Sequence, residues 1–192
     1  PARTAGLEIN AEPRIVEETT RLLEQASGRA RKKYVDPMSP YAKVVMASKP
    51  TAYWRLGEQA GPTAIDATGN GHDAEYEPGI TFHLPGHRHP FAEEDHTSRA
   101  AHFAGGRVVS EVPAPEEFSV EFWLWNGALK TPLIHGITIA EFGRLQLRIL
   151  NEPLSGGPIL TIIPGRVGTA SLPPRKWHHI TVVCRENNYQ LW

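Results

Sequence analysis

The sequence predicts a mainly β fold: an antiparallel sandwich preceded by a short helical lead-in. Three observations carry this. After Pro50 apolar residues recur at every second position, whereas before it they recur at helical spacing. Clusters of Gly, Pro, Asn and Ser separate the period-two runs, as turns separate strands. Glycine and proline number 17 each among 192 residues, well above the roughly 12% combined share of average proteins, which disfavours long helices.

The elements follow in order. Residues 12 to 33 read as a helix. Pro13 suits a first turn, and Ile15, Leu22, Ala26 and Ala30 form an apolar stripe with Val16 and Leu23 beside it. Acids lie early (Glu12, Glu17, Glu18) and bases late (Arg29, Arg31, Lys32, Lys33), matching the helix dipole. The basic run at its end reads as a solvated helix terminus. A second helix is expected over Pro40 to Ser48, with Ser39 as N-cap, Pro40 in the first turn and Pro50 as the stop. Beyond it, Ala52, Trp54 and Leu56 alternate with Tyr53 and Arg55 as in a strand. Phe118, Val120, Phe122 and Leu124 share one face of a strand, opposite Ser119, Glu121, Trp123 and Trp125. Leu145, Leu147 and Ile149 alternate with Gln146 and Arg148. The run Ile159 to Ile163 reads as a strand buried on both faces. Ile180, Val182 and Cys184 alternate with Thr181, Val183 and Arg185, with Trp177 assigned inward at the start of that strand. Turn clusters fall at Gly57 to Gly71, Pro85 to His96, Gly105–Gly106, Ser155 to Pro158 and Pro173–Pro174. No fixed-period repeat occurs, which sets aside propellers and solenoids. The division is therefore a helical lead-in over residues 1–50 and a sandwich over 51–192.

Composition narrows the function. Twenty basic and 21 acidic residues leave a net charge of −1, which gives no support for nucleic-acid binding. Hydrophobic residues at 40% suffice for a core. The single cysteine, Cys184, excludes an internal disulfide and a multi-cysteine zinc site. No apolar run reaches the roughly 18 residues of a membrane-spanning helix. The chain opens at Pro1 without a signal segment and closes within the strand-like Tyr189 to Trp192. It is expected to be a piece of a longer protein, with neighbouring domains of the same polypeptide as partners.

Several segments together resemble a known family. Ala52-Tyr-Trp-Arg-Leu-Gly-Glu58 is followed by Asp66-Ala-Thr-Gly-Asn-Gly-His-Asp73, then Ala101-His-Phe-Ala-Gly-Gly106 with Val108 and Val112. Phe118-Ser-Val-Glu-Phe-Trp123 and Trp177-His-His-Ile-Thr-Val-Val183 come later in the same order. Residues 50 to 192 thereby resemble laminin-G-like domains of the concanavalin A-like lectin/glucanase group. The resemblance implies a jelly-roll sandwich lacking its C-terminal strands within this window. It also implies an extracellular, cell-surface or periplasmic location. The lead-in from Tyr41 to Leu56 is similar to segments of multi-domain proteins of environmental bacteria, planctomycetes among them.

Four chemistries are open to these residues. Asp66, Thr68, Asn70, Gly71 and Glu77 loosely follow an EF-hand calcium loop, in which alternating oxygen ligands wrap a hard cation. Strands rather than helices are expected around it, and Asp-x-x-Gly-Asn-Gly is equally good turn chemistry. The family resemblance implies one structural Ca2+ near this loop, with Asp66, Asn70 and Asp73 as ligands. His83, His87, His89 and His96, with Glu93, Glu94 and Asp95, could gather a transition metal, though their irregular spacing reads as a polar loop. His178 and His179 must face opposite ways. Glycoside hydrolysis needs two facing carboxylates, and the Glu-x-Asp-x-x-Glu pattern of glucanases of this group does not occur. No Gly-x-Ser-x-Gly elbow or phosphate loop occurs either, and Cys184 reads as a buried hydrophobe. Sugar binding, finally, needs exposed aromatic rings beside polar loops. Trp123, Trp125 and Tyr76 are the candidates, unless the lead-in helices cover that face. Three functions stay open: a non-catalytic binding or adhesion module for carbohydrate or protein, a structural spacer or docking domain, and a glycan-active enzyme without identifiable catalytic carboxylates.

Overall fold

A computed structural model describes residues 21–22, 38–88, 98–113, 115–127, 136–143, 145–151, 157–163, 166–185 and 188–192. The helix expected over residues 12–33 lies outside these, apart from Arg21 and Leu22, which are helical. The second expected helix is present as α1, Pro40–Ala47. Ser39 caps it as the sequence requires, its hydroxyl accepting the Ala42 N–H at 3.1 Å. No helix among the described residues is long and apolar enough to cross a membrane.

The rest of the described chain is mainly antiparallel β-structure. In chain order the strands are β1 Thr63–Ala64, β2 Ala74–Tyr76, β3 Ile80–Pro85, β4 Arg99–Phe103, β5 Val108–Val109 and β6 Phe118–Trp125. They continue as β7 Ile137–Phe142, β8 Leu145–Asn151, β9 Pro158–Ile163, β10 Arg166–Ser171, β11 Trp177–Arg185 and β12 Asn188–Leu191. Four sheets form, with orders β1-β2-β5, β3-β4, β10-β9-β8-β7 and β12-β11-β6.

The last two sheets face each other. Leu145, Leu147 and Ile149 of β8 and Leu160 and Ile162 of β9 meet Ile180 and Val182 of β11 in one buried cluster, joined by Leu172. Phe122 and Leu124 of β6 pack onto it. Each of these side chains falls at the alternate position its strand requires. Full burial of one such aliphatic contributes about 1.5–3 kcal/mol. The run at β9 is buried from Ile159 through Ile162, Thr161 included, as expected for a strand covered on both faces.

A second, smaller core surrounds Ala64, Ala74 and Tyr76, with Trp54, Leu56, Ile80, Phe82, Ala101 and Val108 against it. Here the strand expected over residues 52–56 does not form. Trp54 makes an isolated bridge to Asp66, and Leu56 adopts a φ of 52°, which ends any extended run. The turn before β3 depends on Gly79. Its φ is 97°, and a Cβ there would lie 2.9 Å from the Gly106 nitrogen.

Trp177 is a correction to the sequence expectation. It does not enter the core. In the β11–β6 register Trp177 lies opposite Trp125 and His179 opposite Trp123. Strand parity sets Trp177 and His179 on the face away from Ile180 and Val182. The period of two, counted back from Ile180, sets Trp177 on the outer face.

Candidate functional site

The outer face of β6 and β11 gathers the aromatic residues. Trp125 and Trp177 meet edge to face, ring centres 5.7 Å apart. His87, which follows β3, lies flat on Trp123 with centroids 3.7 Å apart and planes 13° from parallel. His179 also stacks on Trp123 at 4.8 Å, and its Nε2 lies 3.5 Å from the Glu121 carboxylate. Burial, and then the charge of His179, hold His87 below the ordinary imidazole value, which favours the neutral ring at pH 7. From α1, the Tyr41 hydroxyl accepts the Trp123 Nε1–H at 3.1 Å. Trp123 is thus covered by its neighbours, whereas Trp125 remains 48% exposed.

Beside Trp125 and Trp177 an open cavity of about 600 Å³ is lined also by Gly86, His87, Arg88, Arg175 and Lys176. The turn that supplies Arg175 and Lys176 is held by Asn126, the residue after Trp125. Asn126 is buried. Its Nδ2 donates to Leu172 O at 2.6 Å. Its backbone N–H donates to Lys176 O, and its carbonyl accepts the Arg175 N–H. Among the described residues no carboxylate pairs with Arg88, Arg175 or Lys176. Sequence reasoning missed Asn126 and the three cations. They come from separate segments, and only the folded β6–β11 register and the β3 exit bring them together.

Tyr76, the third aromatic candidate, lies elsewhere. It is 5% exposed in the second core, set edge to face against Phe82. Its hydroxyl donates to Glu58 Oε2 at 2.8 Å. Burial and the Glu58 carboxylate push its pKa above the ordinary phenol value, which keeps the group a donor. A ring so enclosed has no face to offer a ligand, so the expectation for Tyr76 is corrected. The reason is its position in β2, where Ala74 and Tyr76 both point inward.

The loop read as a calcium site is organised by its own chain. Asp66 is 5% exposed. Its carboxylate accepts the N–H groups of Tyr53 at 3.0 Å, Thr68 at 3.0 Å and His72 at 3.2 Å. The Thr68 hydroxyl donates to it at 2.7 Å. Burial pushes this carboxyl up, and the hydrogen bonds from Thr68, Tyr53 and His72 outweigh burial and hold it below the usual value. Asp73 Oδ1 accepts the Asp66 N–H at 2.8 Å. Asn70 turns its amide to Thr51 O at 2.9 Å. Glu77, the twelfth residue of the EF-hand pattern, forms a two-pronged pair with Arg107 at 2.6 and 2.9 Å. A cation at Asp66 would have to displace four chain donors aimed at the same lone pairs. The three predicted ligands share one loop, but Asp66 does not fit the ligand role.

Of the histidines read as a polar loop that could gather a metal, the two described ones hold separate partners. His83 lies in β3 with Nδ1 3.2 Å from Gly57 O and Nε2 accepting from Arg99 Nε. His87 stacks on Trp123, and His89 and His96 lie outside the described residues. His178 and His179 take opposite faces of β11 as expected, His178 Nε2 lying 2.8 Å from Pro173 O. No group of three or more His, Cys, Asp or Glu side chains converges among the described residues. Compared with protein-family models, with curated proteins and with solved structures, the chain finds no match.

Proposed function

We propose that this chain is a non-catalytic carbohydrate-binding module of a larger, exported bacterial protein, built on a jelly-roll sandwich of the laminin-G-like kind. The observation that carries the proposal is Trp125, a half-exposed indole beside Trp177 at the edge of an open cavity rimmed by polar side chains. An aromatic face of this sort stacks on the C–H face of a pyranose ring, while neighbouring donors bond its hydroxyls. A ligand site at the edge of a rigid sheet also needs little reorganisation on binding.

Native gels cast with soluble polysaccharides test this. The wild-type protein is expected to be retarded by at least one of them. Trp125→Ala is expected to weaken that binding at least tenfold, about 1.4 kcal/mol, with little loss of melting temperature because the ring is outside the core. Retardation unchanged in Trp125→Ala would refute the site.

A second function, that of a spacer docked to neighbouring domains, is favoured by the covering of Trp123 by Tyr41, His87 and His179. It predicts that no polysaccharide retards the wild-type protein.

A further inference from the structure

We infer that His87 is a removable cover on the sugar-binding face: at neutral pH its ring holds the place on Trp123 that a sugar ring would take, and acid releases it. The inference rests on the carbohydrate reading above and adds the regulation of that site. Strand parity puts Trp123 and Trp125 on one face of β6, and Trp177 lies opposite Trp125 in the register with β11. The three indoles are therefore neighbours on one surface. Trp125 and Trp177 line the open cavity, with His87 beside them. Trp123 lies against that histidine, ring centres 3.7 Å apart and planes 13° from parallel. A flat ring at that distance occupies the stacking space that a pyranose would use. His87 also meets Trp177 edge to face at 6.1 Å. Tyr41 bonds Trp123 at Nε1, on the edge of the ring. His179 stacks at 4.8 Å, but it is fixed in β11 directly across from Trp123, whereas His87 lies outside the strands.

The chain is pinned immediately before His87. Gly86 donates its N–H to Ser98 O at 3.0 Å, and a Cβ on Gly86 would lie 2.9 Å from Arg99 O. A rotation of the backbone at His87 therefore lifts the ring from a fixed root and leaves the β3–β4 hairpin in place. The groups around the ring make protonation the trigger. From β11 comes His179, itself 3.5 Å from Glu121 of β6, and from α1 the Tyr41 phenol on Trp123. Arg88 on the same segment, and Arg175 and Lys176 on the turn before β11, line the same cavity. Among these groups Glu121 carries the one carboxylate, and four others carry positive charge in acid. Burial, and then the charge of His179, hold the His87 ring below the ordinary imidazole value. A proton therefore binds the released ring more tightly than the stacked one. The cover is complete above about pH 6.5 and weakens as pH falls below it.

Two measurements test this. The first needs no ligand: the ring protons of His87 are followed by NMR from pH 7.5 to pH 5. Stacking on the indole shields them, and they are expected to move to the positions of a free histidine as the ring protonates. Signals that stay shielded through the titration would overturn the inference, the imidazolium then being kept on the indole by cation–π attraction. The second is titration calorimetry of dextran, xylan and galactomannan with the wild-type protein, His87→Ala and His87→Phe at pH 7.5 and pH 5. At least one polymer is expected to bind the wild type threefold or more tighter at pH 5. His87→Ala is expected to bind it at pH 7.5 within twofold of the wild-type affinity at pH 5. His87→Phe keeps a flat ring that takes no proton, and is expected to bind weakly at both. Equal wild-type affinity at the two pH values, or a gain in acid that His87→Phe retains, would overturn the inference and leave the carbohydrate reading standing. No binding of any polymer by any of the three proteins would overturn both.

Discussion

Asp66→Ala is expected to cost about 3–5 kcal/mol of folding stability, since it leaves several shielded N–H groups without an acceptor at about 1–3 kcal/mol each. For a chain of 192 residues that corresponds to a melting temperature lower by roughly 6–20 °C. The carboxylate joins residues on either side of the loop. It accepts the backbone of Tyr53, Thr68 and His72, so its removal leaves several N–H groups without an acceptor in a place shielded from water. Asp66→Asn keeps the shape but replaces one acceptor oxygen with a donor facing other donors, and is expected to lose nearly as much. The pH dependence has a definite sign. The folded carboxyl sits below its ordinary value, so its contribution is complete above about pH 4 and is lost as pH falls through the folded value. Denaturation at pH 7 and at pH 3 measures this. The gap between wild type and Asp66→Asn is expected to narrow in acid. A loss below about 1 kcal/mol at pH 7, outside the range for such networks, would contradict the role assigned to Asp66.

Leu147→Ala is expected to destabilise by about 3–5 kcal/mol, the cost of a cavity at a site that cannot collapse. Leu147 is 0% exposed. Its strand is paired on both sides, to Ala140 of β7 and Ile162 of β9. The two flanking strands hold the backbone in place, so relaxation into the cavity is limited. Trp177→Ala, although it removes far more atoms, is expected to cost less than Leu147→Ala, because the indole lies on the outer face. Urea denaturation of both variants reads the order directly. A larger loss in Trp177→Ala would return that tryptophan to the core and overturn the orientation of β11.

The particular elements differ in how much the sequence disclosed. The second helix was legible from Ser39, Pro40 and Pro50, because capping and proline are local effects. The inward faces of β6 and β11 were legible because eight- and nine-residue strands repeat their period several times. Tyr76 was misplaced because β2 is three residues long, too short for alternation to declare a face. Trp177 was misplaced although its parity with Ile180, three residues on, sets it on the opposite face. At Asp66 the acid-rich turn was visible, but its use as an acceptor for Tyr53, 13 residues earlier, depends on the chain folding back. The cavity was hidden for the same reason. Arg88 and Arg175 are far apart in sequence, and nothing local marks either as part of a site.

The most direct test of the outer aromatic face is the indole N–H spectrum of the 15N-labelled protein during titration with the polysaccharide that retards it. The five tryptophans give distinct signals, assigned by single Trp→Phe variants. Trp54 is the internal control, since its Nε1–H donates to His72 O at 2.7 Å in the second core. The predicted result is that the Trp125 and Trp177 signals move with ligand concentration while Trp54 stays in place. Saturating ligand that shifts Trp54 or Trp192 and leaves Trp125 and Trp177 unmoved would contradict the assignment of the site.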